Sequence, residues 1–435
     1  MKKKGLIWVG VALIISCVLL IGVATWQIYK ENNKEDALAE NTTQVSTENS
    51  STEELENQEE KELHKIRLMM LGDNLMHMGI VHSGKLPDGT RNYDMLFEPI
   101  KEHLEFADIK MINQETIFGG NNLGFSGFPY FNSPTEVGDA IAKAGFNVVL
   151  QASNHSADQG IQGINNCINF WSKYPDVLMT GIFKKANETN QDIGLIEVDG
   201  VTFAILNYTY SPNLTALPKE IQGHLAMLCD WNKSTGAINF TKLHPDVLTD
   251  IATAKEMADV VIVCPHWGTE YTFVPSSYQK KFAQQMTEAG ADLIIGTHPH
   301  VIQPVEWIKV ENGNQALCFY SLGNYVSTQQ DPKCMLEAMA WVTFVVEDDE
   351  VKILAEETGA IPMVCQYTSG PVRLEQVYFL DEYTKELAKS HGIHAFNGAD
   401  YTLENLQLWA REVLGDWMLF SDTVFQERIE VQYWK

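Results

Sequence analysis

The stretch DLIIGTHPH, residues 292–300, decides the fold and also points to the chemistry. Residues 293–295 form a short apolar run, which is typical of a strand covered on both faces. Gly296 ends this run, and two histidines follow directly on either side of Pro299. In α/β sheets, ligands and catalytic groups gather just beyond the carboxyl ends of the strands. The stretch therefore predicts a buried strand that ends at a functional site.

The same arrangement recurs along most of the chain. Further apolar runs predict strands at residues 66–71, 109–112, 147–150, 202–206, 260–264, 316–320 and 340–346. Helices are predicted between them at residues 133–144, 245–258 and 276–289, with Pro134 suited to a first helical position and Gly290 to a helix end. This alternation predicts an α/β fold. After Asp348 the pattern weakens, and only helical segments at 381–390 and 403–420 stand out.

Polar clusters directly follow six of the strands and hold five of the twelve histidines. Because parallel strands end at one edge of a sheet, we expect the clusters to share one site. Imidazoles, carboxylates and an amide oxygen suit Zn, Mn or Fe rather than a thiolate site. Two such ions joined by a carboxylate would activate water and stabilise charge on a phosphoryl or acyl group under attack.

These motifs, most of all residues 266–271 and 296–300, resemble the CapA family of poly-γ-glutamate capsule biosynthesis proteins, within the calcineurin-like metallophosphatase superfamily. The resemblance covers residues 66–346 and implies a sandwich of two β-sheets flanked by helices, with divalent metal ions, two by expectation. Carried over, it implies a general acid or substrate contact at His155. The metal ligands that it implies are Asp73, Glu115, Asn154, His266, His298 and His300.

Two positions depart from the superfamily pattern. The first motif is usually Asp-x-His, but Leu75 holds the histidine position and His77 lies two residues later. The second motif usually supplies an aspartate, whereas this chain has Asn113-Gln114-Glu115. The pattern is therefore compatible with two metal ions, with one held weakly, or with one alone.

Other polar residues have expected supporting roles. Asp158 and Glu270, counted with His155 among the catalytic residues, are expected to orient histidines as outer acceptors. Substrate contacts and the rim of the site are assigned to Asn113, Trp267, Tyr271 and Asn324.

Plainer structural explanations exist for several of these residues. Asp73 could cap a helix, Asn154 could be a turn residue, and His266 could be a satisfied core histidine. Glu115 could be an ordinary surface carboxylate, and Asp158 and Glu270 could form surface salt bridges.

The N-terminus predicts the compartment. Residues 1–4 carry three lysines, and residues 5–26 contain no charged residue. About 20 apolar residues span a bilayer as a helix, and flanking lysines mark the cytoplasmic side. We expect a cytoplasmic tail at 1–4, a membrane anchor at 5–29 and an extracellular body. A lipoprotein modified at Cys17 and a cleaved signal peptide are the alternatives.

The acidity of the chain limits its partners. Asp and Glu number 57 against 31 Lys and Arg, a net charge of −26, which argues against nucleic acid as a partner. A polyanionic substrate would have to be held by metal ions or by a local basic patch. Residues 30–65, rich in Glu, Asn, Ser and Thr, predict an acidic disordered tether. The seven widely spaced cysteines include no Cys-x-x-Cys, which predicts neither a disulfide framework nor a zinc knuckle.

Three functions are compatible with the sequence. The first is a membrane-anchored extracellular CapA-type protein with a metal-dependent hydrolase-like site, acting with membrane synthase subunits in biosynthesis, export or attachment of poly-γ-glutamate or a related anionic polymer. The second is a cell-surface metallophosphoesterase acting on nucleotides or wall phosphates, and the third is a non-catalytic scaffold of a polymer synthase. The functional domain is expected at 66–350, followed by a partly helical C-terminal extension at 351–435.

Overall fold

The computed structural model describes residues 64–184, 193–348 and 350–425. The predicted tail, the anchor and almost all of the tether therefore lie outside the described residues. Within the described ranges, the helices are all too short or too polar to cross a membrane.

The elements alternate between strands and helices through most of these ranges. The strands are β1 (His64–Asn74), β2 (Ile109–Asn113), β3 (Val148–Leu150), β4 (Leu178–Thr180), β5 (Gly194–Val198), β6 (Val201–Thr209), β7 (Cys229–Trp231), β8 (Ile238–Leu243), β9 (Val260–His266), β10 (Leu293–Ile295), β11 (Val305–Lys309), β12 (Gln315–Phe319), β13 (Asn324–Val326), β14 (Leu336–Glu347), β15 (Glu350–Ile353), β16 (Gly359–Ser369) and β17 (Val372–Phe379). The α-helices are α1 (Met78–Ser83), α2 (Lys101–Leu104), α3 (Thr135–Ala144), α4 (Gly160–Trp171), α5 (Pro245–Met257), α6 (Ser277–Ala289), α7 (Lys385–Ser390) and α8 (Leu403–Leu414).

Two large sheets carry all of these strands except β7 and β8, which form a two-stranded sheet. The first has the order β17-β16-β14-β1-β2-β3-β4, with β13 beside β1 and β15 beside β14. Its β1, β2, β3, β4 and β13 run parallel, whereas β14, β16 and β17 pair in antiparallel fashion. The second sheet has the order β11-β12-β10-β9-β6-β5 and is parallel from β12 to β6. The predicted mixed α/β fold is confirmed.

Alternating side chains of β1 enter two different cores. Ile66, Leu68 and Met70 pack in the core between the two sheets, where the rings of Phe203 and Phe344 lie 5.2 Å apart. Met69 and Leu71 point to the opposite face and join the core that α3, α4, α5 and α6 cover. Since strand side chains alternate between faces, a strand apolar throughout requires cover on both sides. The result is the expected sandwich of two sheets flanked by helices.

The predicted helices begin and end for identifiable reasons. Ser276 and Gln279 form a capping box at the start of α6, and Gly290 ends that helix with a φ of 117°. Gly145 ends α3 in the same way with a φ of 98°. Both are conformations that a residue with a Cβ rarely adopts.

Two long strands, β16 and β17, come from the segment after Asp348 where the sequence predicted only helices. β16 lies between β14 and β17 and contains Pro362. A proline argues against a central strand because it cannot donate a hydrogen bond to its neighbour. This explains why the pattern of residues 359–369 did not predict a strand.

Within each sheet, the ends of neighbouring strands approach each other closely at a glycine. A Cβ on Gly72, just before Asp73, would lie 2.1 Å from the carbonyl oxygen of Gly323. A Cβ on Gly296 would lie 2.2 Å from the carbonyl oxygen of Tyr320. These contacts place the end of β1 against β13 and the end of β10 against β12.

Glu337, the second residue of β14, is a buried carboxyl that is not among the predicted metal ligands. It is 1% exposed, and neither of its oxygens has a hydrogen-bond partner among the described residues. Burial raises its pKa well above the usual value. The folded protein therefore keeps Glu337 protonated at a pH at which the unfolded chain has released that proton.

We predict that Glu337→Gln stabilises the protein increasingly as pH rises. Above the ordinary carboxyl pKa, folding of the parent chain must take up a proton, so Glu337 lowers the free energy of unfolding as pH increases. Denaturant unfolding at pH 4, 6 and 8 should show a growing advantage of the variant, with exposed Glu412→Gln as control. An advantage independent of pH would contradict the assignment.

Candidate metal centre

The six predicted metal ligands lie together at the carboxyl ends of strands from both sheets. Asp73 and His266 are the last or next-to-last residues of β1 and β9, and Glu115, Asn154, His298 and His300 follow β2, β3 and β10. All six are buried, with exposures of at most 3%. The plainer explanation of Glu115 as a surface carboxylate is therefore wrong.

Asp73 is held in place from two sides. Its Oδ1 accepts a hydrogen bond from Asn113 Nδ2 at 2.7 Å, and its Oδ2 accepts one from the backbone N–H of His298 at 3.2 Å. Asn113, predicted to contact substrate, thus contacts this carboxylate. These two hydrogen bonds connect Asp73, near the end of β1, to the last residue of β2 and to the loop that follows β10.

His300 lies among three oxygen-bearing side chains. Its Nδ1 is 3.2 Å from Asp73 Oδ2, 3.0 Å from Asn324 Oδ1 and 3.9 Å from Glu115 Oε2. Although burial lowers its pKa, the charges of Glu115 and Asp73 outweigh this and raise the pKa of His300 to about 9. Asn324, predicted at the rim, is fully buried and orients His300.

His266 and Asn154 form a second pair. His266 Nε2 is 2.9 Å from Asn154 Oδ1, and His266 Nδ1 is 2.9 Å from Thr297 Oγ1. Asn154 Nδ2 donates to Asn213 Oδ1 at 3.1 Å, which turns the amide oxygen of Asn154 toward the histidines. Burial, together with neighbouring histidines, lowers the pKa of His266 and His298 well below the usual value. Both are therefore neutral imidazoles, the form that binds a metal ion.

His155 has the geometry of an oriented acid. Its Nδ1 lies 2.7 Å from Asp158 Oδ2, which also accepts the backbone N–H of Phe131. Its Nε2 lies 4.0 Å from Glu115 Oε1. With Nδ1–H donated to Asp158, the second nitrogen faces the cluster on the side of Glu115.

Glu115 is a buried carboxylate without the partners that burial normally requires. Neither oxygen has a hydrogen-bond partner among the described residues. Oε1 lies 3.9 Å from His266 Nε2, and Oε2 lies the same distance from His300 Nδ1. Burial, and then the charge of Asp73, raises the pKa of Glu115 well above the usual value.

The donor set fits divalent metal ions. Oxygens and nitrogens of Asp73, Glu115 and His300 lie within 4.8 Å of one another, as do those of Glu270, His298 and His300. Metal ligands bond at about 2 Å, so ligands of one ion can lie up to about 4 Å apart, too far for a direct hydrogen bond. The unpartnered atoms of Glu115 and His298 Nδ1 are donors of the required kind.

The backbone of the 296–300 stretch is strained where its two histidines lie. His298 has a φ of 97° and His300 a φ of 59°, conformations that are rare for residues other than glycine and asparagine. Such strain costs about 1–3 kcal/mol per residue and clusters at functional sites. With this backbone, His300 Nδ1 lies 3.2 Å from Asp73 at the end of β1, and the His298 ring lies 4.8 Å from that of His266.

The remaining predicted residues lie around this cluster. Glu270 is partly exposed, with Oε1 3.9 Å from His300 Nε2. Tyr271 is 42% exposed at the mouth, and its ring lies 5.9 Å from that of His300. Trp267 is buried and donates its indole N–H to the Tyr320 carbonyl, so its contact with the site is through packing.

The structure also brings in residues that the sequence did not single out. The ring of Tyr210 lies 4.6 Å from that of His298, and Asn213 holds the Asn154 amide from an exposed position with a φ of 57°. Tyr210 directly follows β6, which is the one signal that could have identified it. Leu75 is a core residue. His77 is half-buried, and its pKa is lowered to about 3, first by desolvation and then by His300 and His155.

The fold and the site define the class as a two-sheet α/β protein with a buried histidine and carboxylate cluster at its strand ends. Residues 67–329 match the model of the family described as bacterial capsule synthesis protein PGA_cap. The match covers more than half of the chain. This protein therefore belongs to the PGA_cap family of bacterial capsule synthesis proteins.

Two relatives agree with the family. The chain is 34% identical over 186 residues to the PGA biosynthesis protein CapA of Bacillus subtilis (strain 168), covering 42% of this chain and 43% of the relative. It is 35% identical over 209 residues to the capsule biosynthesis protein CapA of Bacillus anthracis, covering 46% of this chain and 44% of the relative. The chain thus matches less than half the length of each.

One solved structure with a similar course of the chain is the calcineurin-like phosphoesterase YfkN from Bacillus subtilis. The identity is 11% and the TM-score 0.37, with 79% of this chain and 99% of that chain covered. Likeness at this level decides nothing about activity.

We predict that Glu115→Gln stabilises the metal-free protein. The substitution removes a carboxyl that burial and Asp73 disfavour in its ionised form, a cost that grows as pH rises above the ordinary carboxyl value. Thermal unfolding in a chelator at pH 8 should therefore give a higher midpoint for the variant, whereas Gln114→Glu should give a lower one. A lower midpoint for Glu115→Gln would show that the carboxylate is already compensated within the protein.

We predict that Asn213→Ala weakens binding of Mn²⁺ roughly tenfold, as expected for loss of an outer hydrogen bond to a ligand. Without Asn213 Oδ1, the Asn154 amide can rotate its oxygen away from the histidines. Asn213→Asp keeps an acceptor oxygen and tolerates the left-handed backbone, so it should retain the affinity. Calorimetric titration of the chelator-treated protein measures this, and equal affinities of the two variants would rule out positioning by Asn213.

Proposed function

We propose that this protein is a membrane-anchored, extracellular, metal-dependent hydrolase of capsule polymer assembly, acting on poly-γ-glutamate or a related anionic polymer. The observation that carries the proposal is the Glu115 carboxylate, buried and unpartnered beside Asp73 and three histidines. Membership of a capsule synthesis family and the name of the Bacillus subtilis relative support the polymer. The anchor and the extracellular position are supported by the lysines and the apolar run of residues 2–26.

The chemistry follows from the donors that the chain supplies. Asp73, Glu115, Asn154, His266, His298 and His300 would hold divalent ions, one or two of Mn, Zn or Fe. Bound there, such ions would lower the pKa of water and neutralise charge on the group under attack. Asn113 and Asn324 fix the orientations of Asp73 and His300, so these ligands need little reorganisation.

His155 is proposed to protonate the leaving group. Asp158 accepts the Nδ1–H of the imidazole, which fixes the tautomer and aims the other nitrogen at the cluster. A site used only for binding would not need this oriented pair. The pair therefore favours a hydrolase over a non-catalytic scaffold.

The reacting bond is proposed to be a γ-glutamyl amide, with a phosphoester as the alternative. Both reactions place negative charge on oxygens near the metal ligands. The cluster by itself is therefore compatible with hydrolysis of either bond. The polymer is favoured by the family, and a phosphoester by the general chemistry of two-metal sites. Membrane synthase subunits are the proposed protein partners.

We predict that Mn²⁺ or Zn²⁺ raises the thermal unfolding midpoint of the chelator-treated full-length protein. A ligand at 100 times its dissociation constant stabilises the folded state by about 2.7 kcal/mol. Asp73→Asn and His298→Ala should abolish most of this shift, whereas a change at exposed Asp422 should not. A parent protein that gains no stability with either ion would refute the metal centre.

The same preparations separate the three functions. Metal-dependent shortening of poly-γ-glutamate, lost in His155→Ala while metal-induced stabilisation persists, would support the proposal. Turnover of an aryl phosphate without polymer cleavage would favour the phosphoesterase, and metal binding without either reaction would favour the scaffold.

A further inference from the structure

A large cavity lies outside the residues that match the family model. Its volume is about 720 Å³, within the range of about 300–1,000 Å³ typical of ligand sites. It lies between α7, the loop after it and the first turn of α8, all C-terminal to residue 384. Its wall includes Lys385, Lys389, His394, Phe396, Tyr401 and Glu404.

The charge of this cavity is opposite to that of the chain. Two lysines and a histidine line it against one carboxylate, whereas the whole chain carries a net charge of −26. Glu404 pairs with Lys385 at 2.5 Å and lies in the first turn of α8, where the helix dipole favours an acid. Lys389 has no ion-pair partner among the described residues. Its ammonium group is therefore available to an anionic ligand.

A series of residues in contact connects the wall of the cavity to the metal centre. The ring of Tyr401 lies 4.4 Å from that of His391, which lies 4.5 Å from Tyr367. The Tyr367 hydroxyl donates to the carbonyl of Gln329, whose side-chain oxygen accepts from Asn324 Nδ2 at 2.9 Å. Asn324 is the residue that orients His300.

A further lysine lies beside the mouth of the site. Lys333 donates to the backbone carbonyl of Tyr271 at 3.0 Å, and its ammonium lies 5.9 Å from the ring centre of Phe273. Phe273 in turn contacts Trp409 of α8, with ring centres 6.0 Å apart. Lys333 is therefore linked on one side to Tyr271 at the mouth and on the other to the helix whose first turn lines the cavity.

We propose that the C-terminal cavity is an accessory binding site for the carboxylate groups of an anionic polymer, with Lys333 contacting the same polymer between the cavity and the metal centre. This inference rests on the proposed function in taking the substrate to be a polyanion. Lysine ammonium groups bind carboxylates and phosphates alike as point charges. The carboxylate is favoured because each γ-linked glutamate of the proposed polymer carries one. Phe396, 43% exposed, supplies apolar surface for the methylene groups of such a chain.

The test uses the full-length protein, a γ-linked glutamate oligomer and a chelator, so that the metal centre cannot contribute. We expect measurable binding at low salt that Lys385→Gln/Lys389→Gln weakens roughly tenfold and that added salt also weakens. Lys242→Gln/Lys352→Gln, which removes two exposed lysines elsewhere, is the matched control. Equal affinity of both double variants would overturn the proposal, as would equally tight binding of an uncharged polymer or preferential binding of a polyphosphate.

A second measurement separates this site from the reaction. In the metal-loaded protein, the cavity variant and Lys333→Gln should raise KM for long polymer. The cavity variant should leave kcat and the turnover of short oligomers unchanged. A loss of kcat with short oligomers would contradict an accessory role. Lysine-dependent binding without any hydrolysis would support the accessory site and refute the proposed reaction. Hydrolysis with a KM that the cavity variant leaves unchanged would support the reaction and refute the accessory site.

Discussion

The site depends on the repulsion between two buried carboxylates. Asp73 and Glu115 are both fully buried, with ligand atoms within 4.8 Å of each other and of His300. Asn113 and the N–H of His298 donate hydrogen bonds to the Asp73 carboxylate, but no group among the described residues donates one to the Glu115 carboxylate. An unpaired buried charge costs several kcal/mol, so a protein retains such a pair only where a cation or a proton offsets it. The strained backbone at His298 and His300 brings imidazoles to this pair, and the rest of the fold serves to hold these groups together.

The sequence predicted this cluster because each ligand directly follows an apolar strand. Buried strands have a simple signal, and the ends of parallel strands converge, so the polar clusters could be grouped without knowing the order of the strands. The family resemblance then implied which residues of the clusters are the ligands: Asp73, Glu115, Asn154, His266, His298 and His300. What could not be predicted was the function of each neighbour. Asn113 and Asn324 were expected near substrate, yet their amides hydrogen-bond to Asp73 and His300. Asn213 and Tyr210 reach the site from a loop, where no periodic pattern exists.

The strands after Asp348 show why sequence patterns do not predict every element. β16 contains Pro362 in a central position, and β17 alternates only partly between buried and exposed residues. β16 pairs with β14, and β17 pairs with β16; local sequence does not encode such pairing. Conversely, the capping box of α6 and the glycines that end α3 and α6 are local signals, and those helices were predicted to within a residue or two.

The acidity that seemed to exclude a polyanionic substrate applies to the chain as a whole, not to each surface. Salt screens the net charge of −26. Beyond the screening length, which is about 8 Å at physiological salt, the chain therefore repels such a substrate only weakly. Within that length the local groups decide: the metal ligands at the centre, Lys333 at its mouth and Lys389 in the cavity. Since the cavity lies outside the family match, binding of polymer there could differ between relatives that share the metal centre. Chemistry set by the strand ends and polymer retention set by the C-terminal segment would then be separable properties of one chain.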